Sequence, residues 1–208
     1  MSHFNDSAAT WDTPQKIQMM KTLAKAAIQS LQPLLSSNDK LDIIDFGCGT
    51  GLFGLEFADF ARTITGIDTS EGMLAVFEEK TNGEDHIQGL LLDLEQTDAL
   101  KSVPANLRAD LILSAMAFHH LKQPDLVLGR LASLLAPGGA VAIVDLDEED
   151  GTFHPDNEGM GVKHFGFAKA AVEQWAYSQN LKLQHQIIYD LAKSDRTYPI
   201  FLAVVTQH

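Results

Sequence analysis

Apolar and polar positions alternate along the chain with two different periods. Short runs rich in valine, isoleucine and leucine have the length of buried strands, and turn residues bound most of them. The first run lies at residues 41–46, and glycines end it. The pattern predicts seven strands, at residues 41–46, 63–67, 87–92, 110–114, 140–146, 182–189 and 199–206.

Between most of these runs, apolar residues recur every three or four positions, as on one face of a helix. The first helix precedes the strands and is the clearest, because Thr13 is a suitable cap, Pro14 occupies the first turn and Pro33 marks the end. The helices after the first are predicted at residues 52–61, 71–80, 125–135 and 167–179. Pro137-Gly138-Gly139 ends the helix at 125–135, and Trp175 faces inward from the helix at 167–179.

This order of elements predicts an α/β fold. Strands that alternate with helices form right-handed crossovers, which give a parallel sheet with helices on both faces. Only about ten residues separate the last two strands, too few for a crossover, so these two strands pair as an antiparallel hairpin. We therefore expect one domain of 208 residues with a doubly wound, Rossmann-like sheet of seven strands. Ligands bind such sheets at the carboxyl ends of the strands.

Charge and composition limit the partners. The chain has 15 basic and 28 acidic residues, a formal net charge of −13, which repels phosphate backbones and anionic lipids. We expect neither nucleic acid nor a membrane as a partner. No apolar run reaches the roughly 18 residues of a membrane span, and the first residues lack the pattern of a secretory signal. The single cysteine, Cys48, excludes an internal disulfide, so we expect a cytoplasmic protein.

A glycine-rich loop, residues 45–51 (Asp-Phe-Gly-Cys-Gly-Thr-Gly), follows the first strand and leads into a predicted helix. Its glycines permit a sharp turn and the close approach of a ligand, and a helix N-terminus adds N–H donors for a phosphate or carboxylate. Asp68 ends the second strand and is suited to accept hydrogen bonds from ribose hydroxyls. Gly49, Gly51 and Gly54 match the dinucleotide pattern GxGxxG, so NAD and S-adenosylmethionine both fit at this point.

Later motifs decide between these cofactors. They are Asp68-x-Ser70-x-x-Met73-Leu74, Asp93-Leu94, residues 110–114 with 118–121, and residues 135–139. Together with the glycine loop, and in this order, they resemble class I S-adenosylmethionine-dependent methyltransferases. Phe4, Ala8 and Trp11-Asp12 also resemble a lid in a small-molecule branch of that family. The resemblance implies a lid and helix at residues 1–36, a cofactor-binding core at 37–146, an acceptor-side loop at 147–166, and a helix and hairpin at 167–208.

The resemblance also implies which residues bind the methionine end of the cofactor. Gly47, Gly49 and Gly51 would frame the methionine moiety. Asp45 would act on its amino group, and Ser114 would present its backbone carbonyl to the same ammonium.

The nucleoside end has its own implied set. Asp68 would hold the ribose, Met73 and Leu94 would flank the adenine, and Asp93 would accept from the exocyclic amine. Three further residues, in the same loops or over the site, complete the cofactor-binding set: Trp11, Cys48 and Thr69.

Two adjacent histidines, His119 and His120, follow the fourth strand at the mouth of the implied pocket. The unperturbed pKa of histidine lies near neutrality, so a histidine there is suited to accept a proton from the acceptor. Neighbouring residues of an extended chain point to opposite sides, so we expect only one of the two to face the ligand. His119 is our catalytic candidate.

Residues 147–166 form a long segment with little periodicity after the fifth strand. Loops of this length are often functional. We expect this one to shape the acceptor pocket and take His154 as the second catalytic candidate. The spacing of His154, Asp156 and His164 fits no standard metal site, so we expect no metal.

The sequence thus predicts methyl transfer from S-adenosyl-L-methionine to an oxygen, nitrogen or carbon atom of a small molecule, with S-adenosyl-L-homocysteine as the product. The Asn-Pro-Pro-Tyr type of motif found in DNA amino-methylating enzymes is absent after the fourth strand. The first alternative is an NAD-dependent oxidoreductase, but Tyr189 and Lys193, with Tyr-x-x-x-Lys spacing, fall in the predicted hairpin. The second alternative is a non-catalytic protein that binds S-adenosylmethionine.

Overall fold

A seven-stranded sheet forms the centre of the computed structural model, which describes residues 2–36 and 39–208. The strand order is β3-β2-β1-β4-β5-β7-β6. The strands are Leu41–Phe46 (β1), Ala61–Asp68 (β2), Ile87–Leu91 (β3), Ala109–Ala115 (β4), Leu135–Leu146 (β5), Lys182–Lys193 (β6) and Arg196–Thr206 (β7). The segment boundary expected at residue 37 lies outside the described residues.

Helices connect and cover the strands. None of them, within the part of the chain that the structure describes, is long and apolar enough to cross a membrane. Short 3-10 helices lie at Ala8–Thr10, Gly54–Phe60, Ala99–Lys101 and Phe118–His120. The α-helices are Ser2–Ser7 (α1), Pro14–Ser30 (α2), Gln32–Leu35 (α3), Glu71–Lys80 (α4), Pro124–Ala132 (α5) and Lys169–Ser178 (α6).

The pairing of the strands confirms the predicted doubly wound sheet. Strands β1 to β5 pair in parallel, and β7 lies antiparallel between β5 and β6. The chain moves outward from β1 in one direction through β2 and β3, and in the other through β4 and β5. The switch point therefore lies between the carboxyl ends of β1 and β4, where sheets of this kind bind their ligands.

Two hydrophobic cores cover the two faces of the sheet, because successive side chains of a strand point to opposite sides. Ile43 of β1 packs in the core that contains Leu23 of α2 and Phe77 of α4. Its neighbour Ile44 packs in the other core, with Leu128 of α5. Burial on both faces explains why these strands read as continuous apolar runs in the sequence.

Two predicted helices end differently in the structure. The segment predicted as a helix at residues 52–61 forms the 3-10 helix Gly54–Phe60, so the glycine loop is not followed by an α-helix N-terminus. The predicted helix 125–135 ends at Ala132, and Leu135 already pairs with Ala109 of β4. Gly139 explains the second difference, since a Cβ there would lie 2.9 Å from the Ala109 carbonyl oxygen. The glycine thus permits close strand packing rather than ending a helix.

The antiparallel hairpin is confirmed, but it is longer than predicted. Strand β6 continues to Lys193 and β7 begins at Arg196, so the predicted ten-residue connection shrinks to a two-residue turn. Ser194 in that turn has a φ of 58°. Polar residues did not mark the strand ends, because β6 is an edge strand with many exposed positions.

Ile112→Ala tests the core, because Ile112 is fully buried in the central strand β4. We expect the free energy of unfolding to fall by about 2–5 kcal/mol, since the lost side-chain atoms leave a cavity. Urea denaturation followed by circular dichroism measures this change. The control Leu100→Ala, at a residue that is 44% exposed, should change it by no more than about 0.5 kcal/mol. Equal losses in both variants would contradict the assignment of the core.

Candidate active site

The glycine loop turns back against the end of β2. The backbone N–H of Gly47 donates to the Ile67 carbonyl at 2.8 Å, and Gly47, Gly49 and Gly51 have φ values of 69°, 52° and 85°. A Cβ on Gly47 would lie 2.5 Å from the Cβ of Ala117, whereas a Cβ on Gly49 would meet nothing within 4 Å. The loop is therefore packed against the segment after β4 at one glycine and faces open space at the next.

Two carboxyl groups stand behind this loop. Asp68 accepts the backbone N–H groups of Gly49 and Ser70, at 2.8 and 2.9 Å. Asp45 is 1% exposed, and its Oδ2 atom has no hydrogen-bond partner among the described residues. Burial raises the pKa of Asp45 to about 7; the Gly54 backbone N–H lowers it, and the charge of Asp68 raises it. Burial also raises the pKa of Asp68. A buried carboxylate oxygen without a partner suits a cationic or hydrogen-bond-donating ligand.

The structure turns the Cys48 thiol away from the open side of the loop. A Cβ on Gly66 of β2 would lie 2.8 Å from the Cys48 sulfur, so this side chain packs against that strand. Burial raises the pKa of the Cys48 thiol well above its ordinary value. Cys48 thus serves as a small packing residue, and a ligand on the open side meets the loop's backbone instead.

The residues predicted at the adenine end fall at the carboxyl ends of β2 and β3. Met73 and Leu94 are each 1% exposed, and Thr69 is exposed. Asp93 accepts hydrogen bonds from the Glu95 backbone and the Gln96 amide, at 2.8 and 2.7 Å. The side chains of Met73 and Leu94 are therefore occupied by packing, and that of Asp93 by local hydrogen bonds.

The N-terminal segment is bonded to β2–α4 and to the glycine loop. Asn5 accepts hydrogen bonds from the Ser70 hydroxyl at 2.6 Å and the Gly72 N–H at 3.1 Å. Asp12 accepts from the Thr50 hydroxyl at 2.5 Å and forms an ion pair with Lys80. These contacts hold the segment over the edge of the sheet where the loops converge.

Aromatic rings of that segment continue toward the histidines after β4. The Trp11 ring lies 5.6 Å from the Phe4 ring between centroids. The Lys16 ammonium lies over the Trp11 ring, 3.1 Å from its centroid. Phe4 in turn lies edge-on to His120 at 5.2 Å. The same segment therefore borders both the glycine loop and the histidines.

His119 is held in one orientation by Asp145 of β5. Its Nδ1 atom lies 2.7 Å from the Asp145 Oδ1 atom, and both residues are buried. Because an ionised carboxylate only accepts, His119 Nδ1 carries the hydrogen and Nε2 keeps a lone pair. That Nε2 atom is buried and has no partner among the described residues.

Three histidine rings gather at this place. The His119 ring lies 4.2 Å from His120 and 4.9 Å from His154. The expectation that only one of the adjacent histidines faces the site rested on an extended chain. Phe118–His120 is instead a 3-10 helix, which lets both rings pack together. His154 joins them from the long segment after β5.

Burial keeps two of these rings uncharged. Burial, together with the electrostatic effect of the adjacent His119, lowers the pKa of His120 to about 3 and that of His154 to about 4. Burial alone would raise the pKa of Asp145, but the electrostatic interaction and the hydrogen bond with His119 outweigh it and lower that pKa. Asp145 is therefore ionised and His120 and His154 are neutral near pH 7.

The segment at residues 147–166 contacts the histidine cluster through hydrogen bonds and an aromatic ring. The backbone N–H groups of Lys163 and His164 both donate to the His119 carbonyl, at 2.9 and 3.1 Å. Phe153 packs edge-on against His154 at 4.8 Å and Tyr198 at 5.1 Å. Residues 147–166 thus contact the same histidine cluster that Phe4 of the N-terminal segment contacts.

Comparison with known proteins identifies a methyltransferase domain in this chain. Residues 44–141 match the model of a methyltransferase domain. An uncharacterised methyltransferase of Schizosaccharomyces pombe is 29% identical over 205 residues, covering 80% of this chain and 72% of the relative. Residues 44–141 therefore form a methyltransferase domain, and the chain has the class I S-adenosylmethionine-dependent methyltransferase fold. A malonyl-[acyl-carrier protein] O-methyltransferase of Acetivibrio thermocellus is 30% identical over 143 residues, which cover 67% of this methyltransferase but only 46% of that relative.

A solved structure supports the fold of the methyltransferase. The DhpI complex with S-adenosylhomocysteine superposes with a TM-score of 0.71 at 17% identity, covering 99% of this chain and 94% of its own. S-adenosylmethionine is the cofactor of the family, and two observations at the site fit it. The space beside Gly49 is open, and Asp45 Oδ2 is a buried acceptor without a partner among the described residues.

Sequence reasoning missed the residues that hold this methyltransferase site together across the fold. Asp145 was not singled out, although a carboxylate inside the apolar run of β5 is a signal of a buried polar role. Asn5 gave no such signal, because an asparagine near the N-terminus is ordinary. Ser114, which was predicted, is fully buried with a side-chain hydroxyl that has no partner among the described residues.

Gly49→Ala and Gly83→Ala form a matched pair of variants. Both glycines have positive φ, 52° and 92°, with open space where a Cβ would lie, so each change should cost about 1–2 kcal/mol of stability. Only Gly49→Ala places a methyl group beside the loop, where it should weaken S-adenosylhomocysteine binding at least about tenfold. Isothermal titration calorimetry measures both affinities, and equal affinities would contradict the placement of the cofactor.

Asp45→Asn tests the buried carboxyl. The pKa of Asp45 is about 7 in the folded methyltransferase and about 3.9 in an unfolded chain, so the folded state holds a proton that the unfolded state has released. The cofactor-free wild type should therefore lose stability relative to the variant as pH rises from about 4 to about 7. Thermal unfolding of both proteins across this range measures the effect. A difference in Tm that does not change with pH would contradict a neutral Asp45.

Proposed function

We propose that this methyltransferase moves a methyl group from S-adenosylmethionine to an oxygen, nitrogen or carbon atom of a small molecule. The observation that carries the proposal is the enclosed cluster of His119, His120 and His154 beside the glycine loop. Phe4 covers the cluster from one side, and residues 147–166 cover it from another. An enclosed site of this kind suits a small acceptor group better than the surface of a folded macromolecule.

The methionine end of the cofactor is assigned to the glycine loop. Gly47, Gly49 and Gly51 bring the backbone close to the ligand, and Asp45 offers its unpartnered oxygen to the ammonium group. The Ser114 carbonyl serves the same ammonium from the neighbouring strand. When bound, S-adenosylmethionine supplies an electrophilic methyl group that the acceptor takes by in-line displacement, which leaves S-adenosylhomocysteine.

The nucleoside end is assigned to the ends of β2 and β3. Asp68 binds the ribose, because its carboxylate has lone pairs left for a hydroxyl beside the backbone N–H groups that it accepts from Gly49 and Ser70. Met73 and Leu94 form the apolar border of the adenine, with Asp93 beside its amine. Trp11, Thr69 and the Cys48 backbone complete the set.

The acceptor is assigned to the histidine cluster, with His119 and His154 as the catalytic residues. The cluster lies next to the cofactor loop, since Ala117, two residues before His119, is in contact with Gly47. Both the covering segments exclude water, which favours nucleophilic attack at a positioned methyl group. The role of the cluster is to promote loss of the proton from the acceptor. The malonyl-[acyl-carrier protein] O-methyltransferase relative directs the first acceptor panel to carboxylic acids.

Turnover separates this proposal from its two alternatives. Release of S-adenosylhomocysteine, dependent on an acceptor drawn from small carboxylic acids, phenols and amines, supports methyl transfer. Tighter binding of NADH than of S-adenosylmethionine would favour an oxidoreductase. Cofactor binding without any product across the panel would favour a non-catalytic role.

Asp68→Asn tests the ribose assignment with little change in shape. The variant keeps one oxygen acceptor but loses the negative charge, so we expect the dissociation constant of S-adenosylmethionine to rise by one to two orders of magnitude, about 1.5–3 kcal/mol. Equilibrium dialysis measures the constant. Asp59→Asn, at an exposed carboxylate outside the site, is the control and should leave it unchanged. An unchanged constant in Asp68→Asn would remove Asp68 from the cofactor site.

A further inference from the structure

Three imidazoles converge beside the cofactor loop in a set that the sequence spacing did not reveal. One ring nitrogen each of His119, His120 and His154 lie within 4.8 Å of one another. The spacing of His154, Asp156 and His164 suggested no metal site, but the fold places His154 with a different pair. The question is what this group of three nitrogen atoms binds.

His119, the first of the three, is held in an orientation that suits a metal ligand. Asp145 fixes the His119 ring through Nδ1, so the lone pair on Nε2 has a set direction. A carboxylate that accepts from the second nitrogen of a metal-bound histidine orients the ring and raises its basicity. His119 is 1% exposed, and its Nε2 has no partner among the described residues. A buried lone pair in this state costs free energy unless a ligand satisfies it.

The other two rings are also available. His120 Nδ1 is buried and has no partner among the described residues. The His154 ring lies 4.9 Å from the His119 ring and 5.8 Å from the His120 ring. One nitrogen of His154 therefore belongs to the same group of three ligand atoms. Hydrogen bonding between the rings would leave at least one of the three lone pairs unused, because each neutral ring carries one donor and one acceptor nitrogen and Asp145 takes the donor of His119.

The geometry is close to that of a three-histidine centre. Ligand nitrogens of tetrahedral zinc lie roughly 3.3 Å apart when each Zn–N bond is about 2.0–2.1 Å. The rings must therefore approach one another by about 1–1.5 Å from their 4.8 Å limit. We expect His154 to make most of this approach, because it lies on the irregular segment at residues 147–166.

We propose that His119, His120 and His154 bind one divalent transition-metal ion, with Asp145 behind His119. Imidazole ligands favour zinc, copper, iron or nickel over magnesium or calcium, and Zn²⁺ is the ion that we test. Three protein ligands leave a fourth position open. This step rests on the proposed function: the oxygen of an acceptor hydroxyl or carboxyl group binds at the open position as an anion. Its proton passes to solvent. The metal then replaces direct proton transfer to His119.

Metal binding is measured without S-adenosylmethionine and without turnover. Tag-free protein is stripped with a chelator, reloaded with Zn²⁺ or Co²⁺ alone and desalted. Mass spectrometry of the metal should give one ion per chain, and the Co²⁺ protein should show the visible bands of a four- or five-coordinate site. Less than one ion per chain in stoichiometric excess of metal, or only octahedral Co²⁺ bands, would overturn the inference.

Variants identify the ligands. His154→Gln, on the partly buried loop, should weaken Zn²⁺ binding at least about 100-fold, and Asp145→Asn should weaken it by about 10–100-fold. His86→Gln is the matched control, because His86 is a surface histidine directly before β3, at the amino end of that strand. This variant should bind Zn²⁺ as the wild type does. Equal affinities in His154→Gln and the wild type, or an equal loss in His86→Gln, would assign the metal elsewhere and overturn the inference.

The same preparations separate this inference from the proposed function. Metal-free protein that binds S-adenosylhomocysteine and methylates an acceptor at the full rate overturns the metal site and leaves the function intact. A stoichiometric metal on the histidines, in protein that methylates no acceptor, supports the site and removes the function. A change in the Co²⁺ bands when an acceptor is added supports binding of the acceptor at the open coordination position.

Discussion

The hydrogen bond from the Gly49 N–H to the Asp68 carboxylate is the contact on which the site depends. It ties the loop after β1 to the end of β2 at 2.8 Å, in a place where a φ of 52° is acceptable only because the residue is glycine. A charged acceptor makes such a bond about twice as strong as a neutral one. The bond holds the loop open on the side of Gly49 and keeps Asp68 within electrostatic range of Asp45.

That arrangement leaves the protein with polar groups that its own residues do not satisfy. Asp45 Oδ2, the Ser114 hydroxyl and His119 Nε2 are buried without partners among the described residues. Each such group costs about 1–3 kcal/mol, yet Asp45 and Ser114 flank the switch point of the sheet and His119 lies just beyond it. A folded protein tolerates such costs where a ligand supplies the missing partner, so these atoms support the proposed placement of the cofactor and the acceptor at this edge of the sheet.

Local signals account for what the sequence predicted well. The glycines after β1 and Asp68 after β2 are each set by a short motif, and the motif order follows the strand order of a doubly wound sheet. The contact between His119 and Asp145 joins residues 26 positions apart in the chain, so no periodicity could reveal it. The contact of His154 with His119 and His120 depends on the path of an irregular segment. The adjacent histidines were expected to point to opposite sides because an extended chain was assumed, whereas Phe118–His120 forms a 3-10 helix.

Phe4 links the two halves of the cleft. It packs against Trp11, which belongs to the segment fixed to the glycine loop through Asp12, and against His120 in the histidine cluster. This short segment therefore contacts the cofactor side and the acceptor side together. Its polar attachments at the rim run through Asn5 and Asp12, and each such hydrogen bond contributes only about 0.5–1.5 kcal/mol in water. Apolar contacts add to them, because Ala8 is buried and would lie 3.3 Å from a Cβ on Gly72 of α4. One segment thus couples the two sides of the site through polar, apolar and aromatic contacts.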